Sequence, residues 1–142
     1  MSTLLFIHLI AIGIWAGCVA TEVVLEIAQE KLPPSESYLA PLHAKIDRAV
    51  EIPAILVTLL TGGAMLHQAT WDNLLVAKVS CGVAAVILNS IAAYTVHMRN
   101  KCLESGNTSG YARYNVLHER IGIGCVLSIV SAIVLGGLRI AS

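Results

Sequence analysis

Charge is scarce in this chain of 142 residues: Asp, Glu, Lys and Arg make up 13% of it against 56% hydrophobic residues, and acids and bases cancel at 9 each. A soluble domain ordinarily carries about twice that charged share. Four stretches hold no charge at all, Thr3 to Thr21, Ile52 to Thr70, Val79 to Met98 and Ile121 to Leu138. Each matches the length that a helix rising 1.5 Å per residue needs to cross roughly 30 Å of hydrocarbon. A very apolar soluble bundle is disfavoured, because its helices would need charged outer faces. Basic runs are also missing, which argues against nucleic acid as a partner. The cysteines Cys18, Cys81, Cys102 and Cys125 stand singly, with no CxxC or CxxCH. That pattern disfavours a disulfide framework, a zinc ribbon and a covalently attached c-type haem. Serine-nucleophile, Walker and dinucleotide motifs are absent, so hydrolysis and nucleotide chemistry have no foothold. Met1-Ser2-Thr3 lacks the basic start of a secretory signal and the apolar run behind it is too long for one, so the first segment is expected to remain in the mature protein.

What is present reads as an all-α integral membrane protein, an antiparallel four-helix bundle formed by a single domain over residues 1–142. Turns are expected around Lys31–Ser35, around Ala69–Asn73, and across the Gly/Ser-rich run Ser105–Gly110, where Pro33, Pro34, Gly106 and Gly110 break helices. Lys31, Lys45, Arg48, Arg99, Lys101, Arg113 and Arg120 flank the first and third turns, against only Lys78 and Arg139 at the other face. The positive-inside rule then places those two turns in the cytoplasm and both termini outside. Glu22, Glu26 and Glu30, and Asp47, Arg48 and Glu51, continue helical spacing past the apolar stretches, so the first two helices are expected to project on the inner side. Asp47 and Glu51 share a face.

The histidines carry the functional argument. His8, Trp15, Glu22 and Glu26 fall within one narrow stripe of the first helix at 100° per residue, with Ala11 and Cys18 beside them. Polar groups sharing a stripe in lipid face the protein interior, and an imidazole at membrane depth is a functional candidate. His8 and His67 both lie a few residues inside the outer edge of the apolar stretches, roughly 5 to 8 Å deep. Equal depth on two helices suits one cofactor ligated from both. Haem b, held non-covalently, fits this pattern: imidazole for iron, an apolar slot for the macrocycle, and cations for the propionates. Lys78 and Arg139 are the cations available on that side, and Trp15 joins the cofactor-binding residues through its place on the stripe. Gly62-Gly63 and the stripe Gly122, Cys125, Ala132, Gly136 offer room for a ring, or serve close helix packing. His43, His97 and His118 lie at the inner edge as interfacial polar residues, with His97 and His118 the candidates for a second haem. Copper is the competing metal through Met65, His67, His97 and Met98. Residues one or two apart on a helix do not face each other, however, and the chain has only 3 methionines, the initiator included.

The segment His8-Leu9-Ile10-Ala11-Ile12-Gly13-Ile14-Trp15-Ala16-Gly17 resembles the opening of the HemJ-type protoporphyrinogen IX oxidases and the related CopD-like membrane domains. Ile46-Asp47-Arg48 followed by Pro53-Ala54 and Thr61-Gly62 is similar to their entry into the second helix, Lys78 to their lysine opening the third, and Glu119 to their acidic residue entering the fourth. The resemblance runs in order over nearly the whole chain and implies a four-helix haem-b membrane protein in which His8 ligates iron and Lys78 matters for function. Where the HemJ-type proteins carry a basic residue after the Trp-Ala-Gly-like turn, this chain reads Thr21-Glu22-Val23, and His67 and His118 are additions to the pattern. An acid beside an anionic porphyrin disfavours its binding, and a second outer histidine favours a six-coordinate, electron-transferring haem. The expected function is therefore a b-type cytochrome that passes electrons, alone or as a subunit of a larger complex, with a partner protein or quinone. The alternatives are a HemJ-like oxidase and a haem-free copper transporter or membrane anchor. The inner acidic residues are expected to form a proton entry path or solvated ion pairs with Arg48 and Arg120.

Overall fold

The structure, a computed structural model, describes residues 2–30 and 39–141; the turn expected around Lys31–Ser35 lies outside the described residues. The chain runs through helices α1 (Thr3–Glu30), α2 (Leu39–Ile46), a π-helical turn (Asp47–Glu51), α3 (Ile52–Leu66), α4 (Asn73–Glu104) and α5 (Thr108–Ala141). Among the described residues no strand occurs, and the all-α class read from the sequence holds. Four helical stretches are long and apolar enough to cross a membrane: Thr3–Ala28, Pro41–Leu66, Asn73–Glu104 and Thr108–Ile140. Their large apolar side chains face outward in number, Leu60, Val24, Ile123 and Leu127 among the most exposed. In water that surface would be costly, whereas in hydrocarbon it meets its own kind. The chain divides into two compact units, Met1–Ala69 and Thr70–Ser142.

In the first unit α1 pairs with the helix formed by α2, the π turn and α3. The pairing is antiparallel: His8 near the start of α1 meets Thr61 late in α3, while Glu26 near the end of α1 meets His43 in α2. The buried positions of α1 are His8, Ala11, Trp15, Cys18 and Val19, with Glu22 and Glu26 half-buried, which is the stripe that periodicity predicted. The π turn has a local cause. Pro53 stands inside what is otherwise continuous helix, and a proline there lacks the N–H for the ladder and presses its ring on the preceding turn. The chain takes in one extra residue, so that the Ile52 N–H donates to the Asp47 carbonyl five residues back. Residues four apart drift about 40° per step around an α-helix. The wider turn absorbs part of that drift, and His43, Asp47 and Glu51 are all buried.

In the second unit α4, 32 residues long, pairs antiparallel with α5, 34 residues long. Lys78 lies against Gly136, Asn89 against Cys125, Thr95 against His118 and Arg99 against Asn115. Small side chains set the spacing. Ala85 is 1% exposed, Leu88 covers Gly124, and the Cys125 thiol is 3.5 Å from Asn89 Oδ1. Both helices extend well past the apolar stretch at the end their turn closes. That turn is tighter than the sequence reading has it, since Gly110 is helical. Gly106 takes φ 69°, and the Asn107 and Gly106 N–H groups return to the Cys102 and Leu103 carbonyls at 2.9 and 3.1 Å, a Schellman ending. Asn107 then caps α5, its Oδ1 accepting from the Gly110 N–H at 2.9 Å. A Cβ on Gly110 would lie 2.8 Å from both Cys102 Sγ and Asn107 Nδ2, so glycine is needed there for closeness and not to break the helix.

Candidate functional site

The outer part of the first unit is built around His8. It is 6% exposed, and its Nδ1 lies 2.8 Å from Thr61 Oγ1. Thr61 has one hydroxyl proton, committed to the Val57 carbonyl at 2.6 Å. The hydroxyl oxygen is therefore the acceptor in the contact with His8, and Nδ1–H is the donor. In the neutral ring this leaves Nε2 as the nitrogen bearing the lone pair. Such fixing of one ring nitrogen by a hydrogen bond selects the tautomer and orients the ring of a metal-ligating histidine. Gly62 makes the close approach possible: a Cβ there would stand 3.1 Å from His8 Cε1. Trp15, two turns along α1, is 4% exposed on the same face.

The remaining predicted residues are placed as follows. His67 is exposed in the turn that ends α3, five residues beyond Gly62 and so about 7.5 Å further along the helix axis than the level of the His8 ring. Lys78 is half-buried, its methylenes running over Gly136, and its ammonium makes no hydrogen bond or ion pair among the described residues. Arg139 is engaged, 3.2 Å from the Asp72 carboxylate and donating to the Thr70 carbonyl at 2.8 Å. Asp72 also caps α4, accepting from the Leu75 N–H at 2.7 Å. His97 is exposed on α4. His118 is buried and repeats the device seen at His8: its Nδ1 is 2.9 Å from Thr95 Oγ1, and that hydroxyl donates to the Ala92 carbonyl at 2.6 Å. Of the small-residue positions expected to clear space, Gly62 receives a ring and Gly136 receives Lys78, while Gly63 and Gly122 have nothing within 4 Å.

Two features were not legible as sites in the sequence. At the charged end of the first unit, His43 is 3% exposed and faces three carboxylates, Glu22, Glu26 and Asp47, at 3.5, 3.4 and 3.6 Å. The usable signal was the spacing: Glu22 and Glu26 four apart on α1, His43 and Asp47 four apart on the partner. In the second unit Arg99, one of the basic residues counted beside the third turn, is fully buried. Its guanidinium donates to Asn115 Oδ1 at 2.9 Å, and Asn115 in turn donates to Glu119 at 3.0 Å. Among the described residues Arg48 is exposed, and Glu22, Glu26 and Asp47 turn to His43 rather than to it. Comparison with protein-family models, curated proteins and solved structures yields no match.

Proposed function

We propose that the chain is a haem b protein of the bacterial inner membrane that passes electrons, with His8 as an iron ligand. The observation that supports this reading is the Val57–Thr61–His8 chain, which holds the imidazole by Nδ1, the way a metal-ligating histidine is commonly oriented. The donor suits the group: a buried imidazole nitrogen for iron, with Ala11 and Trp15 buried along the same face of α1. Haem supplies one-electron chemistry when bound. The protein's part is to orient the imidazole, to keep bulk water from it, and to set the charge nearby. His67, in the turn after α3, is the second candidate ligand. The termini face outward in this reading, and the electron partner is a protein or a quinone.

A second reading, a HemJ-like oxidase acting on protoporphyrinogen, draws support from Lys78, because Arg139 is held by Asp72 and leaves the lysine as the cation for a porphyrin carboxylate. Protein purified in detergent tests both. A Soret band that sharpens on dithionite reduction and disappears in His8→Ala supports haem ligation, and a colourless wild-type preparation refutes it. A six-coordinate spectrum that His67→Ala turns five-coordinate assigns the second ligand, whereas an unchanged one removes His67. Oxidation of added protoporphyrinogen faster than by boiled protein selects the enzyme.

A further inference from the structure

The charged end of the first unit holds a second ligand set, independent of the haem reading. Nε2 of His43 stands 3.5 Å from Glu22 Oε2 and 3.6 Å from Asp47 Oδ1. These separations are long for N–H···O hydrogen bonds, which centre on about 2.9–3.0 Å. They match neighbouring ligands around one cation: with metal–nitrogen and metal–oxygen bonds of about 2.0–2.2 Å, tetrahedrally disposed donor atoms lie about 3.3–3.6 Å apart. Glu22, His43 and Asp47 each offer a donor atom within 4.8 Å of the other two.

Two further observations point the same way. The Asp47 side chain is 9% exposed, and its Oδ1, aimed at His43, has no hydrogen-bond partner among the described residues. Oε1 of Glu22 is likewise buried without one. Buried carboxylate oxygens in this condition ordinarily have a partner. On the other side of the ring, His43 Nδ1 faces Glu26 Oε1 at 3.4 Å, the carboxylate–histidine arrangement that orients a metal-bound imidazole.

We propose that Glu22, His43 and Asp47 bind one divalent first-row cation, with Glu26 positioning His43. One imidazole, two carboxylates and no thioether select a cation of the Zn²⁺ or Mn²⁺ kind over Cu(I). Three protein ligands leave a fourth position for water. The cation ties α1 to α2 and compensates carboxylates that burial makes costly.

The test uses the full chain in detergent micelles, stripped with a chelator, titrated with Zn²⁺ by calorimetry and with Mn²⁺ by paramagnetic resonance. The expected result is one Zn²⁺ per chain, weakened more than about 100-fold by Glu22→Gln or Asp47→Asn and about 10–100-fold by Glu26→Gln. His8→Ala, which abolishes the Soret band in the haem reading, leaves this affinity unchanged, so the two readings fail separately. Wild-type protein without saturable one-to-one binding overturns the site, as do Glu22→Gln and Asp47→Asn chains that bind like wild type. Circular dichroism and gel filtration accompany each variant. Should Asp47→Asn not fold, Glu22→Gln carries the test, since its side chain is 14% exposed and tolerates the change more readily.

Discussion

Replacing Thr61 by valine keeps the shape of the side chain and removes the oxygen that accepts from His8. The substitution deletes a 2.8 Å hydrogen bond to a ring that is 6% exposed, so the N–H left behind is costly, at about 1–3 kcal/mol. Thr61 also gives up its bond to the Val57 carbonyl, but that carbonyl keeps its helical N–H partner and little is lost there. At 1.36 kcal/mol per tenfold, the folding equilibrium falls roughly 5- to 150-fold. In the haem reading the same change frees the ring to turn, and loss of such an orienting partner typically weakens metal binding about 10–100-fold. Denaturant titration in detergent followed by circular dichroism reads the first effect, and haem content with the position of the Soret band reads the second. Thr95→Val is the matched control, removing the equivalent oxygen from His118: it is expected to cost similar stability and leave the spectrum alone. A Thr61→Val protein as stable as wild type with an identical spectrum would refute the role given to the hydroxyl. Equal haem loss in both variants would show that His8 has no special claim.

Gly62→Ala gains about 1 kcal/mol of helix propensity but sets a methyl 3.1 Å from His8 Cε1. Stability is therefore expected to change little while the haem spectrum shifts; Gly62→Val is expected to destabilise by about 1–3 kcal/mol, both read by the same titration. Gly110→Ala forces its methyl against Cys102 and Asn107 and is expected to cost about 1–3 kcal/mol, whereas Gly137→Ala, with nothing within 4 Å, is expected to stabilise by up to about 1 kcal/mol. Thermal melts of the two variants side by side decide this. Asp72→Ala removes the cap of α4 at about 1 kcal/mol, while Asp72→Asn keeps a capping oxygen and loses only the attraction to Arg139, about 0.2–1 kcal/mol and diminished by salt; melts at low and high ionic strength separate the two contributions.

The span limits were legible because absence of charge is a direct signature of hydrocarbon, and the buried face of α1 was legible because His8, Ala11, Trp15 and Cys18 recur at helical spacing. What escaped the sequence depends on partners and on backbone register. His43 stands alone on its helix apart from Asp47, and only the antiparallel pairing with α1 brings Glu22 and Glu26 to it. The π turn was hidden because Pro53 reads equally well as a helix start, and here it sits in the first turn of α3 with helix on both sides. Arg99 shows the limit of the positive-inside count: a cation at the edge of an apolar stretch counts towards orientation wherever its side chain goes, and here the helix continues past it and turns it onto Asn115.

The two buried imidazoles of the first unit, those of His8 and His43, have been given opposite surroundings by the same pair of helices. His8 meets a hydroxyl and a glycine, and its ring is held by a hydrogen bond to the hydroxyl. His43 meets three carboxylates, which suits a cation. Along α1, His8 and Glu22 are separated by about 21 Å of helix, far beyond the distance at which substitutions usually couple. One helix pair therefore carries a hydroxyl-held imidazole towards one end and an ionic cluster at the other without either constraining the side chains of its counterpart. That is why the residues between them, Ala11, Trp15 and Cys18, need only be apolar and well packed.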